Sequence, residues 1–268
     1  MWIDIGVNLT NSRFEADRDA VLERARAAGV LAMIATGTDL TASIQAEALS
    51  RAHPDYVYST AGVHPHDAIT MDAQSLEKLS ALAKASGVRA IGECGLDYNR
   101  DYSPRDVQKS CFEAQIALAM DTGLPLFMHE RDAHEDFMAI VRPNRDRIAG
   151  GVVHCFTGDK KALHDYLDLD LHIGITGWIC DERRGLGLRE IVKDIPLNRL
   201  MLETDAPYLV PRDLRPKPKR GRNEPCFLSH IAQAVALWRD EPVAHMSSQV
   251  LHTTQSFFGL PHGITTTP

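Results

Sequence analysis

The chain has 268 residues, of which 44% are hydrophobic and 24% charged, with a formal charge of −7. That length fits two average domains or one α/β barrel of about 250 residues, and the composition excludes a disordered or collagen-like chain. The acidic balance argues against a protein that coats nucleic acid with a broad basic face, yet it leaves room for a nucleic-acid enzyme with a local basic patch and bound cations.

Short apolar runs that read as strands recur along the chain, with carboxyl ends near Asn8, Gly37, His64, Glu93, His129, His154, Thr176 and Asp205. Their spacing is close to the roughly 30 residues of one βα repeat. Between them, amphipathic stretches predict helices over Asp17–Ala28, Thr41–Ala52, Ser75–Ser86, Pro104–Thr122, Asp132–Val141, Lys160–Leu167 and Leu188–Lys193. Pro104 opens its helix where a missing N–H costs nothing, and Gly123 stands just past its end. Eight strands alternating with helices predict an α/β fold, a parallel sheet closed into a (β/α)8 TIM barrel of the metal-dependent hydrolase type. An open doubly wound sheet is disfavoured because Gly6-Val7-Asn8-Leu9-Thr10 offers no glycine-rich phosphate loop. One barrel domain is expected over residues 1–260, followed by a disordered tail over residues 261–268.

No basic-then-apolar leader opens the chain, and no apolar run approaches the roughly 20 residues of a membrane span. The five cysteines (Cys94, Cys111, Cys155, Cys180 and Cys226) are scattered without a C-x-x-C pair. Free thiols in a reducing compartment, the cytoplasm, are therefore expected. Strand alternation places Cys94 and Cys155 on the outward, helix-covered face as core residues.

Four strand ends carry a side chain able to bind a metal: Glu93, His129, His154 and Asp205. One strand cannot surround an ion, so ligands from several strands are what a cation on a barrel rim requires. Two imidazoles and two carboxylates mix nitrogen and hard oxygen donors, which suits zinc or manganese better than magnesium. Such an ion polarises a phosphoryl or carbonyl oxygen and acidifies a bound water. Asp205 and Glu93 are the expected catalytic residues, with Asp205 placed to be both ligand and acceptor of that water's proton. Glu203, two residues earlier and expected on the same inward face, reads as support rather than ligand.

The longest irregular stretch runs from Ala206 to about Asn223. It holds Arg212, Arg215, Lys217, Lys219, Arg220 and Arg222 against the single acid Asp213. Its position after the eighth strand puts it on the active-site face of a barrel, where such residues suit phosphate contact.

Gly92-Glu93-Cys94-Gly95-Leu96-Asp97, Met128-His129, His154-Cys155-Phe156 and Glu203-Thr204-Asp205-Ala206-Pro207-Tyr208 together resemble the TatD family of metal-dependent deoxyribonucleases. Gly62-Val63-His64-Pro65-His66, Arg222-Asn223-Glu224-Pro225 and the opening Asp4–Thr10 match the same pattern, so the likeness runs from about Trp2 to Phe258. The resemblance implies a barrel related to the amidohydrolases that hydrolyses phosphodiester bonds with a divalent ion, commonly Mg2+. Its bacterial members are 3′→5′ exonucleases on single-stranded DNA, with activity on RNA, in repair or nucleic-acid turnover. By position it implies Glu93, His129, His154 and Asp205 as metal ligands and His64 beside the scissile phosphate. Arg220, Arg222 and Asn223 are the further expected substrate contacts. His66 is expected to cap the turn that follows it. One departure stands out: the wider family opens with His-x-His on the first strand, whereas this chain has Gly6 and Asn8 there. Glycine cannot ligate and asparagine offers only a neutral carbonyl oxygen, so a second metal is expected to bind weakly or only with substrate phosphate.

Two other readings compete. A small-molecule amidohydrolase or lactonase would use the same metal chemistry, but it has no need of the basic loop. A non-catalytic nucleic-acid-binding or quality-control protein would explain the missing His-x-His. Single-stranded DNA, and RNA, are the expected partners, with no membrane and no obligate protein partner. Tyr98, Trp178 and Tyr208 are candidates for base stacking, with core packing as the plainer role.

Overall fold

The computed structural model describes residues 1–261, so all but the first residue of the expected tail lies outside the described residues. Strands and helices alternate: β1 (Trp2–Val7), α1 (Arg18–Ala27), β2 (Val30–Ala35), α2 (Leu40–Ala52), β3 (Val57–Ala61), α3 (Ala73–Leu82), β4 (Val88–Asp97), α4 (Arg105–Thr122), β5 (Leu126–Arg131), α5 (His134–Val141), β6 (Gly151–Val153), α6 (Lys160–Asp168), β7 (His172–Ile175), α7 (Leu186–Ile191) and β8 (Leu200–Leu202), followed by α8 (Leu228–Arg239) and α9 (Val243–Phe258). In the sheet the strands follow chain order from β1 to β8. This is the (β/α)8 barrel expected. Among the described residues, no helix is long and apolar enough to cross a membrane.

Most strand residues are buried, as in Val30-Leu31-Ala32-Met33-Ile34-Ala35, which explains why the strands read as continuous apolar runs rather than alternating ones. Asp39 and Asp72 start α2 and α3 by accepting from the backbone N–H groups of Ala42 (2.8 Å) and Ser75 (2.7 Å). Pro104 is the residue before α4 rather than its first helical residue, and Gly123 ends that helix at φ +70°. α8 and α9 were not among the expected helices.

The chain forms two compact units. One comprises Met1–Ile34, Cys155–Leu163 and the chain from His172 onward. Here β7 and β8 pair in parallel through Ile173–Leu200 and Ile175–Leu202, and a parallel bridge joins Val7 to Ala206. Asp4 of β1 fastens this junction from inside. Its Oδ1 accepts from the backbone N–H groups of Thr204 (2.9 Å) and Gly6 (3.3 Å), while its Oδ2 lies 2.5 Å from the Thr204 hydroxyl.

Burial pushes the Asp4 carboxyl well above its usual pKa, and the Thr204 hydrogen bonds only partly oppose that shift. A carboxyl that keeps its proton to higher pH in the fold contributes fully below the unfolded value of about 4. It then loses that contribution as pH rises toward the folded value. Asp4→Asn, which keeps an acceptor for the two N–H groups and supplies a donor to the hydroxyl, is therefore expected to gain stability over the parent progressively above about pH 4. Urea melts at pH 4 and pH 8 test this, and an unchanged difference between the two would refute it.

The other unit comprises Ala35–His154 and His164–Leu171 and contains β3 to β6. Its registers pair Thr60 with Ala90, Gly95 with His129, and Met128 with Val153. β4 and β5 run on past Glu93 and His129, so these two side chains project from within strands rather than just beyond them. Gly95 sits at φ +138°, and a Cβ there would stand 1.9 Å from the His129 carbonyl oxygen. The close approach of β4 to β5 at this point requires glycine.

Candidate metal centre

Glu93 Oε1 is the hub of the second unit. It lies 2.6 Å from His154 Nε2, 3.1 Å from His129 Nδ1 and 3.3 Å from His64 Nε2. The strands explain the convergence, since β3, β4, β5 and β6 are neighbours: Glu93 and His129 project from within β4 and β5, and His64 and His154 follow the ends of β3 and β6. Ligand-capable atoms of His64, Glu93 and His129 lie within 4.8 Å of one another. The Glu93 carboxylate with the imidazoles of His129 and His154 offers oxygen and nitrogen donors of the kind that suit a divalent ion of the zinc or manganese type. Burial alone would raise Glu93, but the imidazoles outweigh it, His154 foremost, and hold the carboxyl well below its usual pKa.

His129 is clamped on both ring nitrogens. Its Nε2 lies 3.2 Å from Asp97 Oδ2, opposite the contact to Glu93. Burial disfavours charge on this ring, but the hydrogen bonds to Asp97 and Glu93 prevail and raise its pKa. Asp97 also bonds His66 Nε2 at 2.8 Å and accepts from the backbone N–H groups of Asn99 and Arg100. Burial works against its ionised form, yet these bonds, led by His129 and His66, hold the carboxyl far below its usual range. Asp97 closes the Gly92–Asp97 motif but is not among the expected site residues. Its spacing of four from Glu93 along one strand was the available signal.

In the His64-Pro65-His66 pair the capping bond expected of His66 is made by His64. The cap is His64, whose Nδ1 accepts from the His66 backbone N–H at 3.0 Å and starts the 3-10 turn Pro65–Thr70. His66 instead binds Asp97. Because Nδ1 is an acceptor, the His64 proton belongs on Nε2. Burial lowers the His64 pKa to about 4, with Glu93 offsetting only part of the effect, so the ring is neutral at physiological pH. Tyr102, absent from the expected residues, is 66% exposed with its ring centroid 4.7 Å from that of His66, a platform of the kind a base stacks on.

In the first unit, Asp205 lies beyond the end of β8 at φ +52°, a conformation aspartate tolerates better than most residues. Its Oδ1 accepts from Asn8 Nδ2 at 2.9 Å. Asn8 thus orients a carboxylate from the position where the wider family pattern has a histidine. Glu203 is fully buried and accepts the backbone N–H of Cys155. Strand alternation does not relate Glu203 to Asp205, because β8 stops at Leu202. Nor does it apply to Cys155, which follows the end of β6 at φ +47° and is only half-buried, unlike the fully buried Cys94.

The basic loop is less free than its composition suggests. Arg212 pairs with Glu182 at 2.8 Å. Arg222 bonds Asp17 (2.7 Å) and Glu224 (2.7 Å), which raises its pKa. Asn223, expected as a substrate contact, is fully buried, its Nδ2 donating to the Thr204 carbonyl and its Oδ1 accepting from the Glu224 N–H. In this structure it fastens the loop to the end of β8. Arg220 is exposed and makes no ion pair among the described residues. Of the aromatic candidates, Tyr208 is 48% exposed, while Tyr98 donates to Asp136 and stacks under Arg105, and Trp178 lies under Arg184.

Residues 3–259 match the family model described as TatD related DNase. A Pantoea ananatis protein named 3′-5′ ssDNA/RNA exonuclease TatD is 52% identical over 257 residues, covering 96% of this chain and 99% of its own. Among solved structures, a TatD homologue from Escherichia coli aligns with a TM-score of 0.89 at 28% identity, over 97% of this chain and 98% of its own. An uncharacterized amidohydrolase from Saccharomyces cerevisiae aligns with a TM-score of 0.85 at 27% identity, over 96% and 99%.

Proposed function

The chain belongs to the TatD-related DNase family, and from that premise we propose that it is a divalent-metal-dependent 3′→5′ exonuclease on single-stranded DNA, acting also on RNA. The observation that carries this reading is the gathering of three imidazoles around the Glu93 carboxylate. By the family pattern we read Glu93, His129 and His154, together with Asp205 after the end of β8, as the residues that would hold the ion, read as Mg2+ with Mn2+ or Zn2+ as the alternatives. Such an ion, when bound, supplies Lewis acidity toward a phosphoryl oxygen and a water of lowered pKa.

The chain's own groups supply the rest. Asp205, held by the Asn8 amide, accepts the proton of the attacking water. His64, neutral with its proton on Nε2, donates a hydrogen bond to a non-bridging or leaving phosphate oxygen without a change of net charge. Asp97 fixes the rotation of His129. Arg220 meets the substrate backbone from the loop, and Tyr102 or Tyr208 offers a face to a base. Arg222 and Asn223 shape that loop and bring it to the strand. We place this activity in the cytoplasm, in repair or turnover of nucleic acid.

The test is digestion of end-labelled single-stranded DNA and RNA with Mg2+. Laddering from the 3′ end is expected, and an inert oligonucleotide alongside turnover of a small amide would overturn the reading. Arg220→Ala is expected to leave single-turnover cleavage at saturation unchanged while weakening binding. The slope of log K against log salt should become shallower by about 0.7. A slope identical to the parent's would remove Arg220 from the substrate path.

A further inference from the structure

A second cluster of metal-competent groups lies wholly within the first unit. Cys180 closes the 3-10 turn Gly177–Cys180 after β7, Asp213 sits in the basic loop after β8, and His230 lies in the first turn of α8. Ligand-capable atoms of these three residues lie within 4.8 Å of one another, and His230 Nε2 is 2.8 Å from Asp213 Oδ1. The thiol is 2% exposed, whereas the Asp213 side chain is 52% exposed, so the cluster has a buried sulfur floor and a mouth open to water.

We propose that Cys180, Asp213 and His230 form a zinc-binding site, separate from the centre built on Glu93. One sulfur, one imidazole nitrogen and one carboxylate oxygen make a borderline-soft donor set that selects Zn2+ over Mg2+, and three protein ligands leave a fourth tetrahedral position for water. The charges suit the ion, because a thiolate and a carboxylate neutralise a divalent cation. Burial, with Asp213 adding to it and Arg189 opposing, pushes the Cys180 thiol up to about 12. The thiol is therefore protonated when free, and binding replaces the S–H bond with an S–Zn bond and releases that proton to solvent.

The three ligands come from three separate segments, so the ion would tie the basic loop to the turn after β7 and to α8. It would also occupy the loop's single acid, which leaves the cations of that stretch unopposed by any carboxylate of its own. Zinc at this site would thereby make the loop both more rigid and more attractive to phosphate.

The probe is Co2+ titrated into the full chain in excess Mg2+, read by near-ultraviolet sulfur-to-cobalt charge-transfer absorption and displaced by Zn2+. The ligands assigned to the Glu93 centre include no sulfur, so the band reports a cysteine site. One saturating equivalent is expected in the parent. Cys180→Ser should abolish the band, and Cys155→Ser, beside His154, should keep it. His230→Gln, at a half-buried surface position, should weaken zinc affinity at least about tenfold; it decides the matter alone if circular dichroism shows Cys180→Ser to be unfolded. No band in the parent, a band that survives Cys180→Ser, or unchanged affinity in His230→Gln would overturn the proposal.

Discussion

Glu93→Gln should lower the single-turnover rate of single-strand cleavage by about three orders of magnitude, which is about 4 kcal/mol of transition-state stabilisation. The substitution keeps the shape of the side chain and removes its charge. It also places an amide, half donor, where Oε1 now meets three imidazoles. Two consequences follow from that geometry. The affinity for a divalent ion drops because a charged oxygen ligand becomes neutral, and the orientation of His129 and His154 loosens because each ring loses its strong acceptor. Circular dichroism and the thermal midpoint separate this from unfolding. A folded Glu93→Gln protein that retains more than a tenth of the parent rate would show that the hub has no part in the chemistry.

The second large effect is on the scaffold. Gly95→Ala should destabilise the protein by about 3 kcal/mol or more, and divalent-ion affinity should fall with it. Two costs coincide: a backbone angle of +138° that side chains rarely adopt, and a methyl group set 1.9 Å from the His129 carbonyl oxygen. Relief requires β4 and β5 to separate at the residue that carries the imidazole. Gly123→Ala is the matched control. It too has a positive φ, +70°, but nothing lies within 4 Å of the added carbon, so its cost is expected near 1 kcal/mol. Urea unfolding compares the two directly. Equal losses would mean that the strands part easily and that glycine at position 95 serves only the backbone angle.

How far the amino-acid pattern revealed the fold depended on how apolar each segment was. β2 was visible because burial makes it an unbroken apolar run, and α2 and α4 because their ends and apolar faces agree. β4 was cut short because Gly92 and Gly95 interrupt its apolar run, and with the lost end went Asp97. α8 was legible in principle, since Leu228, Ile231, Ala232, Val235 and Ala236 are buried at helical spacing. A count of eight βα repeats is complete at the eighth strand and gives no reason to expect it. The gathering of Glu93, His129 and His154 was legible because each closes an apolar run with a side chain that makes little sense in a core. Which of His64 and His66 makes the cap turns on ring orientation and tautomer, which no spacing encodes. The loop's cations were overcounted for a related reason: Asp17, the partner of Arg222, lies 205 positions away along the chain.

That pairing has a consequence for how this enzyme type diversifies. The loop is tethered at one root by Arg212 and at the other by Arg222 and Asn223, and the span from Arg215 to Arg220 carries no side-chain tie to any distant strand or helix among the described residues. A segment held at both roots and slack between them is modular. Its length and sequence can drift, or be exchanged by design, while the two anchored ends stay as they are.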